Sequence, residues 1–301
     1  MHMHKIALLA AILLGAAPLA DAAPSPSAPN PSAIGVGPQY DSTHVYVAPD
    51  QVDRFTASFV ATFGGRVGKP ATVTVTPTPS TTISEVAMSP AGFVSVFGFQ
   101  TPIPYPFGQE RTGYLVADMD AAIQAARRAG AEVVTAPFPD AIGRDAIIRW
   151  PGGVMMQLYW HTTPPSYAPL TTVPENRVYL SSDSVEAFVQ AFTAFSGGTV
   201  ASDDPKAPGI ESGRPGETYR RLRLTSTFGK LTILVTDGHL PWPYGREVTG
   251  YEVTDLAGTL AKAKAAGVEV LTGPYNAGGR DAAMVRFPGG YIAEIHSEAG
   301  R

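Results

Sequence analysis

An internal repeat is the feature that most constrains how this chain can fold. Residues 112–118 (TGYLVAD) return 137 positions later as residues 249–255 (TGYEVTD), and the match continues through a Pro-Gly-Gly motif in each copy. Upstream segments repeat at a spacing of 133, which indicates a duplication of about 125 residues. The sequence therefore predicts two tandem domains, at residues 40–163 and 174–299, joined by a linker at residues 164–173.

Each domain divides again into two halves with the same order of predicted elements. Residues 43–48 alternate in polarity as a strand does, and Asp53 is predicted to cap the helix that follows. Phe55 and Phe59 lie on one face of that helix, which ends at Gly64. Three β-rich segments follow, and the second half repeats this order. The pattern predicts an α+β fold made of four βαβββ modules.

Residues 1–22 have the pattern of a secretory signal peptide. A lysine precedes an apolar run at residues 6–19, and Ala20-Asp21-Ala22 supplies the small residues that a signal peptidase requires. A Pro-rich linker at residues 23–39 follows, and no later segment is long and apolar enough to span a bilayer. We expect cleavage near Ala23, no membrane span in the mature chain, and a periplasmic or secreted protein.

Composition narrows the classes of partner and chemistry. The chain has no cysteine, which excludes disulfides, thiolate metal sites and thiol catalysis. Its net charge of -4 gives no basic patch, so nucleic acid is not an expected partner. The sequence shows no nucleophile elbow, phosphate-binding glycine loop or dinucleotide-binding fingerprint. We expect a small-molecule ligand as the partner, and a monomer or homodimer.

Three segments carry a resemblance to a known superfamily: GYLVADMD at residues 113–120, WPGGVMMQL at 150–158 and FPGGYIAEI at 287–295. Paired βαβββ modules with a strand–Asp–helix–Gly start, and a Pro-Gly-Gly before the last strand, resemble the vicinal oxygen chelate superfamily. That group includes glyoxalase I, bleomycin-resistance proteins and extradiol dioxygenases. The resemblance covers nearly all of the chain after the signal peptide. It implies two tandem glyoxalase-like domains, each with a mixed sheet cupped around a site.

The resemblance also implies where a metal would bind, since metal-binding members place His or Glu ligands on inward-facing strand positions. The matching positions are His44, Ser95, Arg111 and Gln157 in the first domain, and Arg177, Thr232, Val248 and Glu294 in the second. Neither set supplies the three or four imidazole or carboxylate ligands that a divalent ion requires. We therefore expect no family-type metal cofactor. If a divalent metal does bind, the candidate ligands are His44, Glu294 and His296, with His239 as a possible addition.

The last strand of the first domain supplies further candidates for contact with a ligand. Met155, Gln157 and Tyr159 alternate onto one face of it. The resemblance places that face inside the cup. A face of this kind suits an apolar or aromatic ligand held by a few hydrogen bonds.

Two repeated pairs of charged residues have a structural and a functional interpretation each. Arg144 and Arg280 are both followed by Asp, and each arginine either forms a structural ion pair or binds a carboxylate of the ligand. Glu110 and Glu247 both precede the repeated Thr-Gly-Tyr. Each is a candidate general base at the mouth of a cup or a residue that stabilises a turn.

Three functions remain open at this point. The first is a metal-independent protein that binds a small apolar or aromatic molecule, as the bleomycin-resistance branch does; the incomplete ligand sets favour it. The second is a metal-dependent lyase, isomerase or dioxygenase of the same superfamily. The third is a structural or interaction module whose cups are filled by their own side chains.

Overall fold

The computed structural model describes residues 34–299, which contain four helices and two mixed β-sheets. The helices are α1 (Val52–Phe63), α2 (Met119–Arg128), α3 (Val185–Ser196) and α4 (Leu256–Ala265). The strands of the first sheet are β1 (Ser42–Tyr46), β2 (Arg66–Val67), β3 (Ala71–Val73), β4 (Thr82–Ser89), β5 (Gly92–Phe99), β6 (Thr112–Leu115), β7 (Glu132–Pro139), β8 (Gly143–Arg149) and β9 (Met155–His161). The strands of the second sheet are β10 (Glu175–Leu180), β11 (Thr199–Pro208), β12 (Thr218–Ser226), β13 (Gly229–Val235), β14 (Val248–Glu252), β15 (Glu269–Ala277), β16 (Arg280–Arg286) and β17 (Ile292–Glu298). The predicted signal peptide lies outside the described residues.

Strand order shows how the modules pair. The first sheet runs β2-β4-β5-β1-β6-β9-β8-β7, with β3 also on β4, and the second runs β11-β12-β13-β10-β14-β17-β16-β15. In each sheet the first strands of two consecutive modules are antiparallel neighbours, β1 with β6 and β10 with β14. Each first strand also pairs in parallel with the last strand of its own module, as β1 does with β5. The prediction of an α+β fold with four βαβββ modules in two mixed sheets is confirmed.

Asp53 does not cap α1 as the sequence predicts, because the helix begins at Val52 and its N-cap residue is Gln51, which makes no side-chain cap hydrogen bond. Aspartates do cap α2 and α4. The Asp118 side chain accepts a hydrogen bond from the Ala121 N–H at 2.8 Å, and Asp255 accepts one from Gly258 at 2.8 Å. Each carboxylate therefore satisfies a backbone donor that has no partner inside the helix. This fixes where α2 and α4 begin, and so fixes how each helix lies across its sheet.

The helices lie between the two sheets and build two shared cores. One core joins the second module to the third, with Trp150 against Phe192 at a ring-centroid distance of 5.9 Å. The other joins the first module to the fourth, with Phe59 packed 5.5 Å from the ring of Tyr251. Because the helix-bearing faces of the sheets face each other, the opposite face of each sheet is left to form a cup.

None of the four helices within residues 34–299 is long and apolar enough to cross a membrane. The longest, α1 and α3, have 12 residues each. A helix of that length reaches about 18 Å, whereas the hydrocarbon core of a bilayer is about 30 Å thick.

Candidate functional site

The concave face of the first sheet encloses a cavity of about 240 Å³. Its apolar wall includes Val86, Phe93, Phe97, Phe107, Ile142 and Tyr167. Its polar wall includes Ser42, His44, Ser95, Asp145, Gln157 and Tyr159. A mainly apolar hollow with a few convergent polar groups is the usual form of a small-molecule site.

The register of the strands explains why residues far apart in sequence meet in this cavity. His44 on β1 lies beside Ser95 on β5, in a parallel pairing. Gly113 on β6 lies between Ser42 on one side and Gln157 on the other. Three of the four positions that the resemblance indicated in the first domain therefore share one cavity.

The fourth position and two other candidates lie outside the wall of this cavity. Arg111 places its guanidinium 5.8 Å from the centre of the Tyr46 ring. Met155 is buried at the start of β9, and Arg144 forms an ion pair with Asp120 at 3.1 Å. None of these three side chains lines the cavity.

His44 is held by hydrogen-bonding groups at both ring nitrogens. Its Nδ1 lies 3.4 Å from Glu110 Oε1, and its Nε2 lies 3.1 Å from Ser42 Oγ. Glu110 is completely buried, and the same oxygen accepts a hydrogen bond from the Tyr46 hydroxyl. An Nδ1–H group would donate to the Glu110 carboxylate, and in that tautomer Nε2 is left to accept from the Ser42 hydroxyl.

Asp145 is a functional candidate that the sequence did not reveal. It is 6 % exposed, lines the cavity and accepts a hydrogen bond from the Gln157 amide. Burial raises the pKa of its carboxyl group well above the usual value, and the nearby Asp140 carboxylate raises it further. The group therefore favours its neutral form, in which it both donates and accepts hydrogen bonds.

A one-residue difference in strand register separates the two Gly-Arg-Asp-Ala repeats. Arg144 lies opposite Trp160, whereas Arg280 lies opposite Glu298, which corresponds to His161 in the first sheet. A shift of one residue moves a side chain to the other face of a sheet. Arg280 therefore points into its cup and binds Glu175 at 3.0 Å, while Arg144 points away from the cavity.

The second sheet has a cup occupied by paired charges. Arg177 Nη1 donates a hydrogen bond to Glu175 Oε1 at 2.8 Å. The same nitrogen lies 2.7 Å from Glu294 Oε2, in an ion pair whose geometry is not that of a hydrogen bond. Burial alone would lower the pKa of Arg177, but Glu294 and Glu175 raise it well above its ordinary value. All three side chains are buried, so the guanidinium remains charged between two carboxylates.

The strands of the two sheets pair in matching registers, so the residues of the second cup can be compared with those that line the cavity of the first. Arg177 pairs with Thr232, which pairs with Arg223, just as His44 pairs with Ser95 and Ser95 with Val86. Two residues before Arg223 on β12, Arg221 occupies the position that Ser84 has in the first sheet. Long arginine side chains thus stand where the first cup has small or uncharged ones.

The remaining histidines of the second domain do not come together. His296 lies beside Glu294, with Nδ1 3.5 Å from Oε1, and both are buried. Burial lowers the pKa of His296, so the neutral imidazole is favoured. His239 lies exposed in the loop after β13, where its backbone N–H donates to Asp237.

The residues of neither cup fit the divalent metal that the superfamily implies. In the first cup both nitrogens of His44 face protein partners, and the other matching positions offer a Ser hydroxyl and a neutral Gln amide. In the second cup the guanidinium of Arg177 lies against Glu294. Across residues 34–299, no three His, Asp or Glu side chains are grouped so that they could hold a metal ion.

Two sheets of paired βαβββ modules, each curved around a site, define the fold of the vicinal oxygen chelate superfamily, and this chain has that fold. Solved structures support the assignment at the level of fold. No family model matches the sequence, and no curated protein matches it.

Three solved structures illustrate the likeness. A triple mutant of 4-hydroxymandelate synthase from Streptomyces coelicolor matches 90% of this chain and 94% of its own, with TM-score 0.56 and 15% identity. The Mn(II)-bound glyoxalase from Novosphingobium aromaticivorans matches 89% and 82%, with TM-score 0.51 and 14% identity. A variant of homoprotocatechuate 2,3-dioxygenase from B. fuscum matches 91% and 74%, with TM-score 0.56 and 12% identity.

Proposed function

We propose that the first cup binds a small apolar or aromatic molecule and does so without a divalent metal. The observation that carries this proposal is the cavity of about 240 Å³ on the first sheet, because the matched cup of the second sheet is occupied by paired charges. Aromatic and aliphatic side chains form much of its wall, and two of its polar groups, Ser42 and His44, are already oriented by protein partners. The ligand then gains affinity mainly by burying apolar surface.

The linker between the domains supports this proposal by closing one side of the cavity. Tyr167 lies parallel to the Phe93 ring at a centroid distance of 5.2 Å, and it also packs 5.3 Å from Tyr40. Both Tyr167 and Phe93 line the cavity. A flat aromatic ligand would continue this stack of rings, in the offset geometry that aromatic groups prefer.

Calorimetric titration of a set of small aromatic compounds, with and without a chelator, tests the proposal. We expect saturable binding that is unchanged by the chelator, together with substoichiometric metal in protein purified without one. Ser95→Leu should fill the cavity and weaken binding at least tenfold, whereas Ser202→Leu on exposed β11 should not. Binding that requires a divalent ion, with stoichiometric Fe, Mn or Zn, would contradict the proposal and favour a metal-dependent lyase, isomerase or dioxygenase.

We also propose that the protein acts outside the cytoplasm, in the periplasm or the medium. The support is the sequence of residues 1–22, with its lysine, apolar run and small-residue cleavage pattern. Cell fractionation followed by N-terminal sequencing tests this. A mature chain that begins near Ala23 in the periplasmic or secreted fraction is expected, and an uncleaved chain in the cytoplasm would refute export.

A further inference from the structure

Ser42, His44 and Glu110 form a continuous chain of polar contacts at the floor of the first cup. Ser42 Oγ lies 3.1 Å from His44 Nε2, and His44 Nδ1 lies 3.4 Å from Glu110 Oε1. Hydroxyl, imidazole and carboxylate in this order are the groups of a nucleophile, a general base and a residue that orients the base. Contacts of this kind are often looser before a substrate binds.

The surrounding strands hold this chain of contacts in one geometry. Ser42 and His44 lie two residues apart on β1, so both point to the same face of the sheet. Gly113 lies beside Ser42 on β6, and a Cβ atom there would be 2.6 Å from His44 Nε2 and 3.0 Å from Ser42 Oγ. Only glycine at position 113 leaves space for the imidazole to approach the hydroxyl.

Ser42 and Gln157 both line the cavity, and they lie in one row with Gly113 across β1, β6 and β9. Neighbouring strands are about 4.8 Å apart, so Ser42 and Gln157 are separated by roughly two strand spacings, and the His44 ring occupies the space above the glycine between them. A carbonyl group that approaches Ser42 Oγ from the cavity would have the Gln157 amide on the same wall. One N–H of that amide donates to Asp145, and an amide has a second N–H to offer a carbonyl oxygen.

We propose that the first cup hydrolyses esters of small apolar or aromatic acids, with Ser42 as nucleophile, His44 as general base and Glu110 as the residue that positions His44. The proposal rests on the proposed function, since the same cavity holds the substrate. The apolar wall accommodates the acyl group, and the cavity-lining side chains include Asp140 and Asp145 but neither lysine nor arginine. That balance of charge favours a neutral ester over an anionic substrate and favours release of the anionic acid.

Each step balances in atoms and charge. Ser42 Oγ attacks the ester carbonyl carbon while its proton passes to His44 Nε2. The tetrahedral intermediate collapses, the alcohol leaves with that proton, and an acyl ester of Ser42 remains. Water then attacks the acyl carbon and gives a proton to Nε2; the carboxylic acid departs as Ser42 recovers its proton.

The second cup supplies an internal comparison. At the positions of Ser42 and His44 it has Glu175 and Arg177, joined by an ion pair. A carboxylate and a permanently charged guanidinium can serve neither as hydroxyl nucleophile nor as general base. The proposal therefore predicts one reactive serine in the protein, at position 42.

Covalent labelling with a fluorophosphonate probe, followed by peptide mass spectrometry, tests the proposal on the full chain. We expect one label per chain, at Ser42, and hydrolysis of p-nitrophenyl benzoate. Ser42→Ala should abolish both, and His44→Ala should lower both at least 100-fold. Glu110→Gln should lower kcat with little change in KM, because the orientation of the base is lost while the cavity remains. Ser202→Ala and His239→Ala, both at exposed positions, are the matched controls and should change neither.

Measuring the binding of an aromatic compound shows whether the hydrolase proposal alone is wrong or whether the proposed binding function is wrong as well. If Ser42→Ala and the wild type both bind the compound but the wild type is neither labelled nor active, the cup is a binding site and the hydrolase proposal is wrong. If neither protein binds it, both proposals fail. Labelling at another residue, or labelling of Ser42 that persists in His44→Ala, would also overturn the assignment.

Discussion

At the scale of single residues, the two cups differ most at three matched positions. His44, Ser84 and Val86 in the first correspond to arginines in the second: Arg177, Arg221 and Arg223. Each cup destabilises the fold in its own way. The cavity of the first cup lacks packing contacts, and the buried charges of the second cup lose their hydration. The second cup offsets the cost of burying charge by pairing Arg177 with two carboxylates and Arg221 with Glu211.

Removing one partner of that network should destabilise the protein. Arg177→Met leaves Glu175 and Glu294 buried beside each other with less compensation, and we expect a loss of about 3–5 kcal/mol in the free energy of unfolding. Urea denaturation measures it. Arg149→Met is the control, because its ion pair with Glu132 is at the surface, and it should leave the unfolding midpoint nearly unchanged. Equal effects of the two substitutions would show that the Arg177 pairs contribute little.

Glu247 gives the stability a dependence on pH. Burial raises its pKa to about 7, although hydrogen bonding from Asn176 opposes the shift. Because this value lies above the unfolded value of about 4.3, the folded state holds an extra proton between these pH values. The stability it confers is complete at low pH and is lost as the pH rises through 7. Relative to Glu247→Gln, the wild type should lose about 2–3 kcal/mol of unfolding free energy between pH 5 and 8.

Urea denaturation at pH 5 and pH 8 checks this dependence. Glu269→Gln is the control, since Glu269 is an exposed partner of Arg286 and its replacement should not alter the slope with pH. If wild type and Glu247→Gln showed the same dependence on pH, Glu247 would not be the group responsible.

At the scale of elements, the repeat and the polarity patterns predicted most of the architecture. The order of strands and helices and the end of α1 at Gly64 follow from local sequence. The different faces of Arg144 and Arg280 agree with a one-residue change in spacing, because the Gly-Arg-Asp-Ala motif repeats after 136 residues and the segments on either side repeat after 137. The contacts of His44 with Glu110 escape local patterns, because they join residues 66 positions apart.

The cap of α2 should contribute measurably to stability. Asp118→Ala removes the acceptor for the Ala121 N–H, and we expect a loss of about 1 kcal/mol in the free energy of unfolding. Asp118→Asn keeps an acceptor oxygen and should retain most of that stability. Thermal and urea denaturation of the two variants check the prediction; an equal loss in both would point to the negative charge near the helix terminus instead.

At the scale of the whole molecule, the two domains are not independent bodies. The first module shares its core with the fourth, and the second shares its core with the third. Hydroxyl groups of Thr43 and Thr249 also meet at 3.0 Å across the two sheets. Neither sheet could bury its helices in the same way without the other.

A single cooperative unfolding transition should follow from this arrangement. Phe192→Ala, in the core between the second and third modules, should cost about 3–5 kcal/mol and lower the temperature at which both sheets unfold. Differential scanning calorimetry of the wild type and the variant checks it. Two resolved transitions, of which only one shifts in Phe192→Ala, would show that the domains unfold separately.

Tyr167 stacks on Phe93, and both rings line the cavity, so the segment that joins the two domains is also part of the cavity wall. A ligand in the first cup would therefore touch this segment, and we expect a change at Tyr167 to alter the affinity of the site.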